Sequence, residues 1–195
     1  MAQEGSASLR ADAKANQDRI LLAAASAFAR HGAEASLKAI AQDAGVGIGT
    51  LYRRFPTREL LVEATYRNEV AQICAWVNGL LRTSPAVEAL AIWMDRFLDF
   101  LATKHGMAQA LRAVLAAEEG LRQRTRESLT DALAVLLSAG VEQRTIRSDV
   151  DPADVLMSIG GVALIAGEPD QREQARRLLA ILMDGLRYRD RSVGP

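Results

Sequence analysis

Tyr52, Arg53 and Arg54 stand in succession in a chain of 195 residues, shortly after Gly47, Ile48 and Thr50. On one short helix this order puts small groups first and basic, hydroxylated groups after them. Such an arrangement suits a DNA major groove, where the start of a helix reads base edges. Arg53 and Arg54 fall where such a helix ends beside the sugar-phosphate backbone, and Ile48 is an apolar candidate for a thymine methyl. Ser36, Lys38 and Arg58 lie near helix starts, where free N–H groups already favour a phosphate. Each residue also has a plainer reading: an amphipathic core tyrosine, two solvated arginines, and a threonine that only stabilises a helix start. Their clustering in one segment favours DNA.

Presenting these groups requires two short helices held together. Ser36 can cap the first by accepting from a backbone N–H. Leu37, Ile40, Ala41 and Ala44 recur at helical spacing and give that helix one apolar face. Gly45 follows, at a point where a left-handed residue is cheap only without a Cβ. Val46 and Leu51 resume the apolar pattern on the second helix, which Pro56 helps to end at Phe55. Ala41 is small enough to let the two helices approach. The pattern over Ser36–Leu60 is that of a helix-turn-helix.

Composition bounds the rest. Hydrophobic residues make up 49% of the chain and aromatic ones 5%, so the core is built from Ala, Leu, Val and Ile. Only five prolines and long Ala/Leu/Arg/Glu tracts predict an all-α protein. Formal net charge is zero, so the whole molecule is no generic polyanion binder. Residues 1–60 carry 8 Lys/Arg against 6 Asp/Glu, leaving 16 against 18 beyond them, so any basic face comes from local placement. The one cysteine, Cys74, excludes an intramolecular disulfide and reads as a small buried thiol. With no apolar h-region in residues 1–16 and no run of roughly 18 uncharged apolar residues, neither a signal peptide nor a membrane span is expected. A reduced, cytoplasmic setting follows.

The case for an enzyme is poor. No His/Cys/carboxylate cluster has metal-ligand spacing, and there is no GxSxG or phosphate-binding glycine loop, so neither metal nor cofactor is expected. His31 and His105 each precede a glycine at a helix end, where imidazoles commonly cap carbonyls. Glu118 and Glu119 read as surface charges. Gly160 and Gly161 follow no strand, and their small size lets another helix come close.

Along the chain, residues 1–12 read as a flexible arm carrying Arg10, with Lys14 just beyond it. A first helix spans about Ala13–His31, with Ile20, Ala24 and Phe28 on one stripe and Gly32 as its stop. After the helix-turn-helix, Thr57 caps a long fourth helix and Ser84-Pro85 starts a fifth, Ala86 to about Thr103. Further helices are expected at about Met107–Ala116 and Glu119–Gln143. Asp151 caps an eighth, with Pro152 at its first position, and a ninth covers about Gln171–Tyr188. Residues 189–195 form a tail. No strand pattern, sequence repeat or low-complexity tract is visible.

The first helix followed by SLKAIAQDAGVGIGTLYRRFPTREL resembles the TetR family of transcriptional regulators. The match covers residues 16–65, with Ile40, Ala41, Ala44, Gly45, Val46, Gly49, Thr50, Leu51, Tyr52, Phe55, Glu59 and Leu60 in place. Two positions depart from the family's pattern: Gly47 stands where Ser or Thr is frequent, and Arg58 where Lys is usual. The resemblance implies a three-helix DNA-binding domain over residues 13–60 and a helical effector-binding and dimerisation domain over 61–188. It also implies that the Tyr52 hydroxyl donates to a backbone phosphate. An effector pocket is then expected among the large adaptable apolar groups Trp76, Trp93, Met94, Phe97, Phe100, Met107, Leu111 and Met157. His105 and Gln109 are the polar candidates to orient a ligand, and a plain core is the competing reading of the apolar set. The last two helices supply a dimer interface by hypothesis, through Gly160, Ala163, Leu164, Leu178, Leu179, Ile181, Leu182 and Leu186.

These readings converge on a homodimeric repressor that binds a palindromic operator in double-stranded DNA and is released by a small apolar or amphipathic molecule. An activator, a ligand-independent regulator, and a helical module whose helix-turn-helix binds protein are the alternatives.

Overall fold

The computed structural model describes the backbone of residues 2–118, 120–166 and 169–188, with side chains from residue 12 onward apart from Pro169. Among the described residues there are nine α-helices: α1 (Ala2–His31), α2 (Leu37–Asp43), α3 (Ile48–Arg54), α4 (Arg58–Thr83), α5 (Ala86–Gly106), α6 (Ala108–Ala117), α7 (Leu121–Glu142), α8 (Pro152–Ile165) and α9 (Arg172–Leu186). The only β-pairing among them is an isolated bridge between Ile146 and Arg187. The all-α reading holds, and most helix boundaries fall within a few residues of those expected. The exception is α1, which runs back to Ala2 instead of starting at Ala13. Residues 1–12 lack an apolar stripe and so read as an arm, but Ala, Gln, Glu, Leu and Arg carry helix propensity regardless of burial. The side chain of Arg10 and the tail at 189–195 lie outside the described residues.

The chain divides into two compact units, one of residues 1–69 with 103–119 and one of residues 70–102 with 120–195. The first therefore takes in α6, which lies beyond the 13–60 range drawn from the sequence. Its interior is built on Ile20, Ala24 and Phe28 of α1, each fully buried, together with Ile40, Leu51 and Leu61. The corner between α5 and α6 meets the end of α1 backbone to backbone, since a Cβ on Gly106 would collide with the Phe28 carbonyl. Arg67 of α4 bonds Glu63 one turn before it, at 2.9 Å, and also Glu118 just past α6. Glu118, expected as a plain surface charge, is thus half of a tie between α6 and α4.

In the second unit, α7, α8 and α9 pack in sequence, with Leu133, Leu136, Ile159, Leu179 and Met183 buried. Asp151 caps α8 by accepting from the Ala153 N–H at 2.7 Å, with Pro152 at the first helical position. The segment after α7 folds back on it: Ile146 is buried on Gly140, where any Cβ would strike the Ile146 side chain. Arg147 N–H then donates to Leu186 O at 3.0 Å and Tyr188 N–H to Thr145 O at 2.9 Å, fixing the end of α9. Cys74 is half-buried rather than fully buried, and its thiol lies 3.4 Å from the Ser128 carbonyl oxygen. Burial, and secondarily Asp131, pushes that thiol above its ordinary pKa, which leaves less of the reactive thiolate.

Candidate nucleic-acid interface

The two helices of the expected motif form as α2 and α3, seven residues each. Ser36 caps α2, its hydroxyl accepting from the Ala39 N–H at 3.5 Å. Gly45 makes the turn with φ +64°, in the left-handed region where a Cβ costs energy. Val46 N–H donates to Ala41 O and Gly45 N–H to Gln42 O, both at 3.0 Å, so the turn is hydrogen-bonded through its length. Ala41 is 2% exposed, consistent with the need for a small residue under the crossing. Leu51 is the one fully buried side chain of α3 and pins that helix to the core, while Phe55 ends it.

With Leu51 turned inward, the opposite side of α3 faces solvent. Gly47, Ile48, Tyr52, Arg53 and Arg54 are exposed, Thr50 is half-buried, and Ser36 and Lys38 are exposed on α2. These candidates thus all lie in the first unit, with every one but Thr50 exposed. Nothing lies within 4 Å of where a Cβ on Gly47 would stand, so the missing side chain leaves the start of α3 uncovered. Ile48 and Tyr52 keep 40% and 48% of their surface exposed, more than a core role would leave them. Arg54 donates to the Gln17 amide oxygen on α1, which ties the end of α3 to the first helix. Gln17 was not singled out by sequence reading, because a lone amide on a helix carries no signal until its neighbour in space is known. Arg19 is similar: it bonds Asn16, and its guanidinium comes within 4 Å of the Cβ position at Gly45.

Arg58, expected as a phosphate contact, donates to the carbonyls of Ala35 at 2.6 Å, Ala33 at 2.8 Å and Gly32 at 3.4 Å. Its guanidinium also lies over the Phe28 ring, 5.2 Å from the centroid. The planar fork reaches these carbonyls from two nitrogens in one fixed plane, a span that the single nitrogen of an ammonium does not have.

The expected pocket residues differ in burial. Trp93, Met94, Phe97 and Phe100 are buried in the second unit, where Trp93 stacks on Phe97 at 5.2 Å and donates its indole N–H to Ile73 O at 3.1 Å. Trp76, expected to share a space with Trp93, lines an open depression with Ile92, Asp95 and Asp99, and its ring faces Arg96. The reason is helical phase: residues 92, 95, 96 and 99 occupy the outer face of α5, and 93, 97 and 100 the inner. Met157 is exposed, while Met107 and Leu111 are buried in the first unit. A cavity of ≈ 290 Å³ opens in that unit, floored by Phe28, Val62 and Met107 and edged by Arg58, Glu59 and Gln109.

The interface candidates divide in the same way. Leu164 and Ile181 are strongly exposed, Gly160, Ala163, Leu178 and Leu182 are partly so, but Leu179 and Leu186 are buried within the chain itself. On α9 the buried positions 175, 179, 183 and 186 follow the helical period inward, which removes Leu179 and Leu186 from any face open to a partner. The exposed set gains Ile165, which the sequence reading passed over as one more apolar residue of α8.

Residues 20–65 match the profile of bacterial regulatory proteins of the tetR family, and residues 85–188 match the C-terminal domain of SbtR-like transcriptional regulators. Among solved structures, a TetR transcriptional regulator from Streptomyces coelicolor is 48% identical, with 89% of this chain and 99% of that one covered and a TM-score of 0.84. A TetR transcription regulatory protein from Mycobacterium vanbaalenii is 31% identical, with 92% and 99% covered and a TM-score of 0.72. No curated protein matches the sequence.

Proposed function

The chain belongs to the TetR family of transcriptional regulators, which bind DNA and are not enzymes, and from that premise we propose that it is a homodimeric repressor of a palindromic operator. The observation that carries this reading is the solvent face of α3, where Ile48, Tyr52, Arg53 and Arg54 are exposed around a buried Leu51. A helix of seven residues reaches few base pairs, so useful specificity needs a second copy on a second half-site. The apolar face of α8 and α9, with Leu164, Ile165 and Ile181 uncovered, supports pairing of two chains. Release by a small apolar or amphipathic molecule is supported by the ≈ 290 Å³ cavity, whose floor is apolar and whose rim carries Glu59 and Gln109. No described helix is long and apolar enough to cross a membrane, in keeping with a regulator acting in the cytoplasm.

Selection of bound duplexes from a random pool by the purified chain tests the reading. The expected product is an inverted repeat with half-site centres about one DNA turn, roughly 34–36 Å, apart. Recovery of single, unpaired half-sites overturns the dimeric reading.

A further inference from the structure

Arg58 closes a ring of chain around the whole DNA-reading pair. It lies in the first turn of α4, four residues after the end of α3, and its donors reach the carbonyls of Gly32, Ala33 and Ala35 just before α2. The segment between these points, residues 36–57, holds α2, the turn and α3. Gly32 holds φ +53° there, and Ala35 N–H donates back to Gly32 O at 3.3 Å, so the three carbonyls are already turned to one side. The Phe28 ring beneath the guanidinium fixes its plane. Thr57 supplies the matching constraint on α4, its hydroxyl accepting from the Leu60 N–H at 3.2 Å.

We propose that Arg58 is a positioning residue for DNA recognition: a clasp that holds the entry of α2 against the start of α4, and so fixes the Ser36 cap and the α2–α3 pair for docking. Tying both ends of the segment removes its freedom to splay before it meets DNA, a cost that binding would otherwise bear. With three of its five donors on carbonyls, Arg58 acts in this role by holding chain in place and not by neutralising a phosphate. The proposal rests on α2 and α3 forming the DNA-reading surface.

Arg58→Lys separates the two roles, because lysine keeps the charge a phosphate needs but holds its three donors on one nitrogen, where the carbonyls are reached by two. Binding of a selected operator duplex by Arg58→Lys should weaken about tenfold, with the slope of log affinity against log salt unchanged. Hydrogen exchange at residues 35–39 should accelerate in the same variant. Arg54→Ala, run in parallel, should lower the salt slope by about one. If Arg54→Ala changes nothing, the DNA-reading surface is misplaced; if Arg54→Ala behaves as expected while Arg58→Lys binds like the parent, the clasp is wrong. A measurement on the unaltered chain guards against a variant that fails to fold. By NMR, the Arg58 guanidinium protons should exchange slowly without DNA and no more slowly with it. Exchange that becomes slow only on adding duplex marks a phosphate contact and overturns the proposal.

Discussion

Two solvent faces of this molecule are chemically opposite. On α3, exposed Ile48 and Tyr52 stand among Thr50, Arg53 and Arg54, each able to hydrogen-bond water when nothing is bound. On α8 and α9, Leu164 is 86% exposed, Ile165 74% and Ile181 69%, with Gly160, Gly161 and Gly185 beside them. Water cannot satisfy that second face, and glycines with nothing within 4 Å of a Cβ leave room for another backbone to come close. Exposure alone therefore says little. A polar, basic face can await a polyanion indefinitely, whereas the uncovered Leu164, Ile165 and Ile181 are what the proposed pairing of two chains would cover.

The sharpest way to break the contrast is to charge the apolar face. Leu164→Glu places a carboxylate where the side chain touches little of its own chain, so the helices should remain folded by circular dichroism. Across a two-fold interface the change counts twice, and each lost leucine burial is worth about 2 kcal/mol. Light scattering at micromolar concentration should show a monomer, and operator affinity should drop by about a hundredfold or more as the second half-site ceases to add. A variant that stays dimeric would move the interface elsewhere on the second unit.

On the polar face the expected losses are smaller and can be told apart. Arg54→Ala should weaken binding to all sequences alike and lower the salt slope by about one. Tyr52→Phe should cost about 1 kcal/mol, one hydrogen bond, with base preference intact. Substitutions at Ile48 or Thr50 should instead change which bases are selected, as judged by repeating the selection with each variant.

The DNA-reading unit was legible because its determinants are local. Ser36 as a cap, Gly45 at φ +64° and small Ala41 under the crossing are set by neighbours within a few residues, and all form as read. The contacts of Arg58 are not legible in the sequence because they reach carbonyls 23 to 26 residues away, which no local pattern reveals. The same holds for Gln17, whose partner Arg54 is 37 positions on. In the second unit the helices were found, but their phase was not. Trp76 and Trp93 were grouped by size, although α5 turns 92, 95, 96 and 99 to one side and 93, 97 and 100 to the other. Leu179 and Leu182 differ by under one turn, yet one is buried and the other half-exposed. Hydrophobic type tells that a residue is withdrawn from water; only packing tells whether its own chain or another does the covering.

The smallest expected effect concerns how α9 is held. Asp95 on α5 accepts from Arg176 at 3.0 Å and lies 3.0 Å from Arg172, which also reaches Asp99. Hydrogen bonding from Arg176, aided by the charge of Arg172, holds the Asp95 carboxyl below its ordinary pKa. A depressed pKa means the pairing contributes stability above the unfolded value of about 3.9, and that contribution fades as pH falls through the lower folded value. Asp95→Asn should therefore destabilise the chain at neutral pH, while at about pH 3 the gap to the parent should narrow. Because the Asp95 side chain is 39% exposed, solvent screens the pair and the loss at neutral pH should stay below about 1 kcal/mol. Urea unfolding at the two pH values measures it. Operator affinity and dimer mass should not change, since Asp95 lies on neither of the two faces; a fall in either would mean that the α5–α9 ion pairs set the geometry of the apolar face as well as its stability.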